Sequence, residues 1–178
     1  MKDGAPARLR GCSLECRALV TRRSATTLVA VLAALLAVAL VAGCGDSGTS
    51  KEDYAKEYRP INDEFVALGR EVGATVQTAK GQTDAALEKR FGDQAKRVGE
   101  LKSRLEDLDP PDDYKSDHDK LVEAMGVVQS DIQKIADAAG SHDAAAAKAA
   151  TIELFEHSED VRGPRRALAG KTGAKTGE

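Results

Sequence analysis

Four stretches of the chain place apolar residues at alternating steps of three and four positions, the spacing of one face of an α-helix. They cover about residues 51–80, 83–108, 113–139 and 143–162. The third stretch keeps the spacing through eight positions: Tyr114, His118, Leu121, Met125, Val128, Ile132, Ile135 and Ala139. No stretch alternates apolar and polar residues as a half-buried strand would. The pattern therefore predicts an all-α chain of four amphipathic helices.

Breaks and capping residues mark where these helices begin and end. The pair Pro110-Pro111 ends the second helix, because the residue before a proline is disfavoured in helical backbone. Gly140 is suited to follow the third helix as its C′ residue. Residues able to cap a helix amino end precede three of the stretches: Ser50, Thr83, and Ser141 or Asp143. Short turns favour an up-down-up-down bundle of four helices. The alternative is a three-helix core with a loose fourth helix.

Two other prolines fall within or beside the predicted helices. Pro60 interrupts the first stretch and removes one backbone hydrogen bond, so we expect a kink or a short helix followed by a longer one. Gly163 and Pro164 predict the end of the fourth helix. Residues 163–178 are then expected to form a disordered basic tail. The fourth helix has the least apolar bulk, so we expect it to be the most loosely packed.

A different pattern precedes the helices. The arginine pair at 22–23 is followed by the apolar run 28–42, then by a glycine and Cys44. As a helix this run would span about 22 Å, less than the about 30 Å of a bilayer core. It therefore fits the apolar part of a signal peptide better than a permanent membrane span, which is the alternative. Residues 44–50 are small and polar, as expected of a flexible tether.

Val41-Ala42-Gly43-Cys44 resembles the lipobox of bacterial lipoproteins, and the resemblance covers only about residues 20–50. It implies a signal peptide over residues 1–43 and a diacylglyceryl group on the Cys44 thiol, with palmitate-type acyl chains. The protein would then be held by lipid at the extracytoplasmic face of the cell membrane. Residues 1–19 fit such a signal poorly, so we expect translation to start downstream, at Val20. The resemblance does not extend to the bundle domain, residues 51–162.

Charge and cysteine content exclude several partners. The chain has a formal net charge of −3, and the part after Cys44 is more acidic still. A nucleic-acid partner is therefore not expected, because nucleic acids bind a basic face. Since Cys44 is the last cysteine, we expect neither a disulfide nor a cysteine-based metal site in the bundle.

The motifs of common enzymes are missing from the sequence: there is no Gly-x-Ser-x-Gly, phosphate loop or His-Glu-x-x-His. We therefore predict a non-enzyme without a cofactor. An up-and-down bundle would bring His118 and His157 to the same end, near Tyr54, Tyr58 and Tyr114. Two inward histidines could ligate a metal or haem. The more common arrangement is a buried histidine that is hydrogen-bonded to a neighbour.

These observations favour a membrane-tethered, non-catalytic helical module that binds another cell-envelope protein or has a structural role. The alternative is a carrier of an apolar ligand, held in a cavity lined by the apolar helix faces. A remote alternative is metal or haem binding through His118 and His157. A cavity of a few hundred cubic ångströms is typical of a ligand site, whereas a fully packed core would exclude the carrier.

Overall fold

The computed structural model describes residues 49–177, so the predicted signal peptide and Cys44 lie outside the described residues. Four helices make up most of this part: α1 (Lys51–Thr78), α2 (Asp84–Glu106), α3 (Asp112–Gly140) and α4 (Ala144–Thr172). A 3-10 turn, Ala79–Gly81, follows α1. No strand occurs between residues 49 and 177, and the predicted all-α bundle is confirmed for this part. None of its helices combines the length and apolar character needed to cross a membrane.

Polar contacts between helix ends show the up-and-down arrangement. At one end the Lys51 ammonium lies 2.7 Å from the Asp113 carboxylate, which joins the start of α1 to the start of α3. At the other end His142, after α3, lies 2.6 Å from Asp84, at the start of α2. α4 packs closely against α3, so the expectation of a loosely attached fourth helix is wrong. Small buried residues such as Ala150 let the two helices approach.

Three of the predicted caps are confirmed. The Ser50 hydroxyl accepts a hydrogen bond from the backbone N–H of Asp53 at 3.1 Å, and Thr83 and Asp143 cap α2 and α4 in the same way. Gly140 differs from the prediction, because it is the last residue of α3 rather than its C′ residue. A Cβ at this position would lie 2.9 Å from the Glu88 carboxyl carbon on α2, a close contact that a rotation of the glutamate side chain would relieve.

The core is built from the predicted apolar faces. All eight positions of the third stretch are buried, and six of them meet the faces of the other three helices in one continuous cluster. Because this core is built by α1–α4, we expect the chain from residue 45 onward to fold on its own.

The predicted end of the fourth helix at residue 162 is wrong. α4 continues through Pro164 to Thr172, and Leu168, Ala169 and Thr172 are buried. A proline inside a helix costs about 3 kcal/mol. Burial of a leucine side chain contributes about 1.5–3 kcal/mol, so packing of this last part offsets the local penalty. The bundle therefore reaches residue 172 rather than 162. α1 also continues through Pro60 as one helix.

The chain after α4 folds back along α1 instead of forming a disordered tail. Gly173 adopts the left-handed conformation, with φ of 70°, and ends the helix. The Asn62 side-chain amide then donates to the backbone oxygen of Lys175 at 2.9 Å. The backbone oxygen of Gly177 lies 3.5 Å from the Arg70 guanidinium. These contacts hold residues 173–177 against the middle of α1.

Candidate functional site

A cleft of about 330 Å³ lies between α1 and α4. Its floor reaches the core at Val98 and Ile132, from α2 and α3. Its walls are mostly apolar and come from α1 and α4: Phe65, Leu68, Val72, Leu154, Phe155 and Val161. A volume of this size is within the range of small-molecule sites, about 300–1,000 Å³. Side chains therefore do not fill the core completely at this point, and an apolar-ligand carrier requires such an unfilled space.

Two glycines on α1 keep the cleft open. Gly69 and Gly73 both line it and lie one helical turn apart. A Cβ built on either glycine would have no neighbouring atom within 4 Å. Gly177, from the segment that folds back along α1, also lines the cleft. A side chain larger than hydrogen at Gly73 would therefore extend into open space rather than into the core.

Three arginines line an otherwise apolar cleft: Arg70, Arg162 and Arg165. Arg162 is paired with Glu159 at 2.8 Å, and both side chains are exposed. Arg165 has no hydrogen bond or ion pair with any residue between 49 and 177, and its Nη1 atom is buried. Arg165 as a whole is half-buried, but a buried polar atom without a partner is costly, so its guanidinium is the most unusual group of the cleft.

A small gap of about 10 Å³ adjoins the cleft on the core side, and Arg165 and Phe65 line both spaces. The Tyr58 hydroxyl and Asn62 Oδ1, which also line the gap, are buried without a hydrogen-bond partner. Burial raises the pKa of Tyr58, although the nearby Arg165 cation lowers it slightly. The gap is at the lower limit of the space that one water molecule needs.

His118 lies in an aromatic cluster at the end where α1 and α3 begin. Its Nδ1 atom is 2.9 Å from the Tyr54 hydroxyl, and both side chains are buried. The Tyr54 ring stacks on that of Tyr58 and meets the ring of Tyr114 edge-on. Burial lowers the pKa of His118, which favours its neutral form. This is the common arrangement of a buried histidine that is hydrogen-bonded to a neighbour.

His157 has a different partner, the carboxylate of Asp131 on α3. The two side chains lie 2.6 Å apart, and the Asp131 side chain is only 1% exposed. The Lys134 ammonium contacts the same carboxylate at 2.9 Å and Glu153 at 2.8 Å. The hydrogen bond to Asp131 raises the pKa of His157. The group is an ionic link between α3 and α4.

The structure does not bring His118 and His157 together, so the predicted shared position is wrong. Asp131, the partner of His157, follows His118 by 13 positions on the same helix. That separation is about 20 Å along the axis. The cause is the length of α4, which places His157 in the middle of the helix rather than at its end. Between residues 49 and 177 no three His, Cys, Asp or Glu residues form a group that could hold a metal ion.

Sequence reasoning missed Arg165, although the sequence contains a signal for it. The apolar face of α4 includes Leu154 and Val161, and steps of four, three and four from Val161 lead to Arg165, Leu168 and Thr172. The helical spacing thus continues beyond Pro164 and places Arg165 on the inward face.

Comparison of the chain with protein-family models, curated proteins and solved structures finds no match.

Proposed function

We propose that this protein is a membrane-tethered lipoprotein whose extracytoplasmic helical bundle binds an apolar ligand in the cleft between α1 and α4. The cleft is the single observation that carries the binding half of the proposal. The cleft has a volume of about 330 Å³, and valine, leucine and phenylalanine side chains form most of its walls. Apolar surface of this kind gains free energy when a ligand removes it from water, at about 25 cal/mol per Å².

The tethering half rests on the lipobox-like residues that end in Cys44. The intact mass of the protein extracted from membranes of its host tests it. We expect a mass equal to residues 44–178 plus a diacylglyceryl group, and a Cys44→Ser variant that no longer partitions into the membrane. A mass that retains residues 28–43 would contradict the lipoprotein assignment.

Ligand binding is tested with the neutral fluorescent probe N-phenyl-1-naphthylamine and the chain from residue 45 onward. We expect saturable binding, and at least tenfold weaker binding by Gly73→Leu, because the added side chain enters the cleft. The matched control is Gly163→Leu, since Gly163 is exposed, has open space around its Cβ position and does not line the cleft. Equal binding by the two variants, or no binding by the parent chain, would refute the proposal.

A second candidate is the binding of a cell-envelope protein. It is favoured by two large exposed apolar side chains on α4: Ile152, outside the cleft, is 49% exposed, and Phe155, which also lines the cleft, is 58% exposed. They are three positions apart and are neighbours on the helix surface. A photo-crosslinker at position 152 should yield one discrete adduct in the host envelope that Phe155→Glu removes. Persistence of the adduct in that variant would argue against this face as the contact.

A further inference from the structure

We propose that the ligand of the cleft is a single-chain carboxylate, whose head group pairs with Arg165 while its hydrocarbon chain occupies the apolar space. This inference rests on the proposed ligand-binding function and specifies its chemistry. Three observations carry it: the unpartnered Nη1 atom of Arg165, the apolar lining of the rest of the cleft, and the volume of the cleft.

Arg165 is a cation at a core position. It follows Val161 by four residues and precedes Leu168 by three, and both of these side chains are buried. The guanidinium therefore extends inward, where its Nη1 atom is buried and has no partner. The planar fork of an arginine matches a carboxylate with two parallel hydrogen bonds. One unpaired guanidinium balances one negative charge, which fits a carboxylate better than a doubly charged phosphate monoester.

The rest of the cleft fits the other half of such a molecule. The cleft continues from Arg165 along apolar walls to Val76, about three helical turns beyond Phe65 on α1. A water molecule takes up about 30 Å³, and a methylene group is of similar size. The space of about 330 Å³ is therefore the size of about ten chain atoms, which suits one hydrocarbon chain better than two.

Two further arginines at the cleft support a negatively charged ligand. Arg70 and Arg162 border the cleft on α1 and α4, so positive charge is gathered around this opening in a chain with a net charge of −3. Arg162 is paired with Glu159, and the hydrogen bond that Arg70 makes within residues 49–177 is to the backbone oxygen of Gly177. They attract an anion to the opening, while the half-buried Arg165 fixes its position.

The test compares decanoate with decan-1-ol, two molecules of equal chain length that differ in head-group charge. Each displaces the neutral probe from the chain that begins at residue 45, with decanoate kept below its micelle-forming concentration and decanol below its solubility limit. We expect decanoate to bind at least tenfold more tightly than decanol. Arg165→Gln and Arg165→Met should remove this preference and leave binding of decanol unchanged. Arg165→Met keeps an apolar stem in place, so it also controls for lost packing.

Arg90→Gln is the matched control, because it removes the same charge from an exposed position on α2 outside the cleft. It should retain the full preference for decanoate. The inference is overturned if the parent chain binds both molecules equally, or if the preference survives in Arg165→Gln. Binding of the probe without a carboxylate preference would leave the proposed function standing. Failure of the probe to bind would refute both the proposed ligand binding and the carboxylate inference.

Discussion

Replacement of Leu168 by alanine tests whether the part of α4 beyond Pro164 belongs to the core. The Leu168 side chain is 0% exposed and is part of the core cluster. Truncation of a buried leucine to alanine costs about 2–5 kcal/mol, from lost burial and from the cavity left behind. We expect Leu168→Ala to lower the free energy of unfolding by about 3 kcal/mol. The same change in a disordered tail would alter it by less than about 0.5 kcal/mol.

Urea unfolding, followed by far-UV circular dichroism, measures this difference. For a small protein the free energy of unfolding falls by about 2 kcal/mol per molar urea. A loss of about 3 kcal/mol therefore moves the midpoint by about 1.5 M, with little change of slope. Such a shift is far larger than the error of a fitted midpoint.

Gly170→Ala provides a control of opposite sign in the same segment. Gly170 is exposed within α4, and a Cβ at this position has no neighbour within 4 Å. Alanine in a helix is more stable than glycine by about 0.5–1 kcal/mol, so this variant should gain stability. A midpoint that is unchanged in both variants would refute the helical assignment of residues 163–172.

The remaining predictions concern the two histidines and one tyrosine. His157 has a raised pKa because of its bond to Asp131; the stability from this pair is complete below about pH 6.5 and is lost as pH rises through the raised pKa. An NMR titration of His157 should give a midpoint above pH 6.5, and Asp131→Asn should lower this midpoint. Burial lowers the pKa of His118. The contribution of neutral His118 to the free energy of unfolding is therefore complete above about pH 6.5 and is lost as the pH falls through the lowered pKa. In urea titrations at different pH values, His118→Gln should abolish this loss. Tyr54→Phe leaves His118 Nδ1 buried without its partner and should cost about 1–3 kcal/mol in urea unfolding; an unchanged midpoint would contradict this bond.

The elements and the core faces were predictable because they depend on local spacing. Every apolar-face position from Tyr114 to Ala139 is buried, as the three-four spacing indicates. The caps at Ser50 and Thr83 were predictable for the same reason, since a cap bonds within its own first turn. The end of α4 was not predictable from Pro164, because contacts distant in sequence outweigh a local penalty there. One such contact is the Arg59 side chain, which donates to the backbone oxygen of Thr172 at 2.7 Å.

The cleft could not be predicted from any single helix. Gly69 and Gly73 are weak helix formers by themselves. The space that they leave on α1 becomes a cleft only because α4 encloses it from the other side. The partners of His118 and His157 were also beyond local reasoning. Each histidine bonds to a residue on another helix, Tyr54 or Asp131, and the length of α4 decides which residues face each other.

The aromatic cluster around His118 provides an intrinsic fluorescence signal for one end of the bundle. The chain contains three tyrosines and no tryptophan, and all three tyrosines meet there, with the Tyr54 ring centroid 5.8 Å from that of Tyr58 and 5.5 Å from that of Tyr114. Intrinsic tyrosine emission therefore senses only this end, whereas far-UV circular dichroism averages over all four helices. Melting curves recorded by the two methods will coincide if the bundle unfolds as one unit. A backbone transition that precedes the change in tyrosine emission would show that the opposite end frays first, without any label having been introduced.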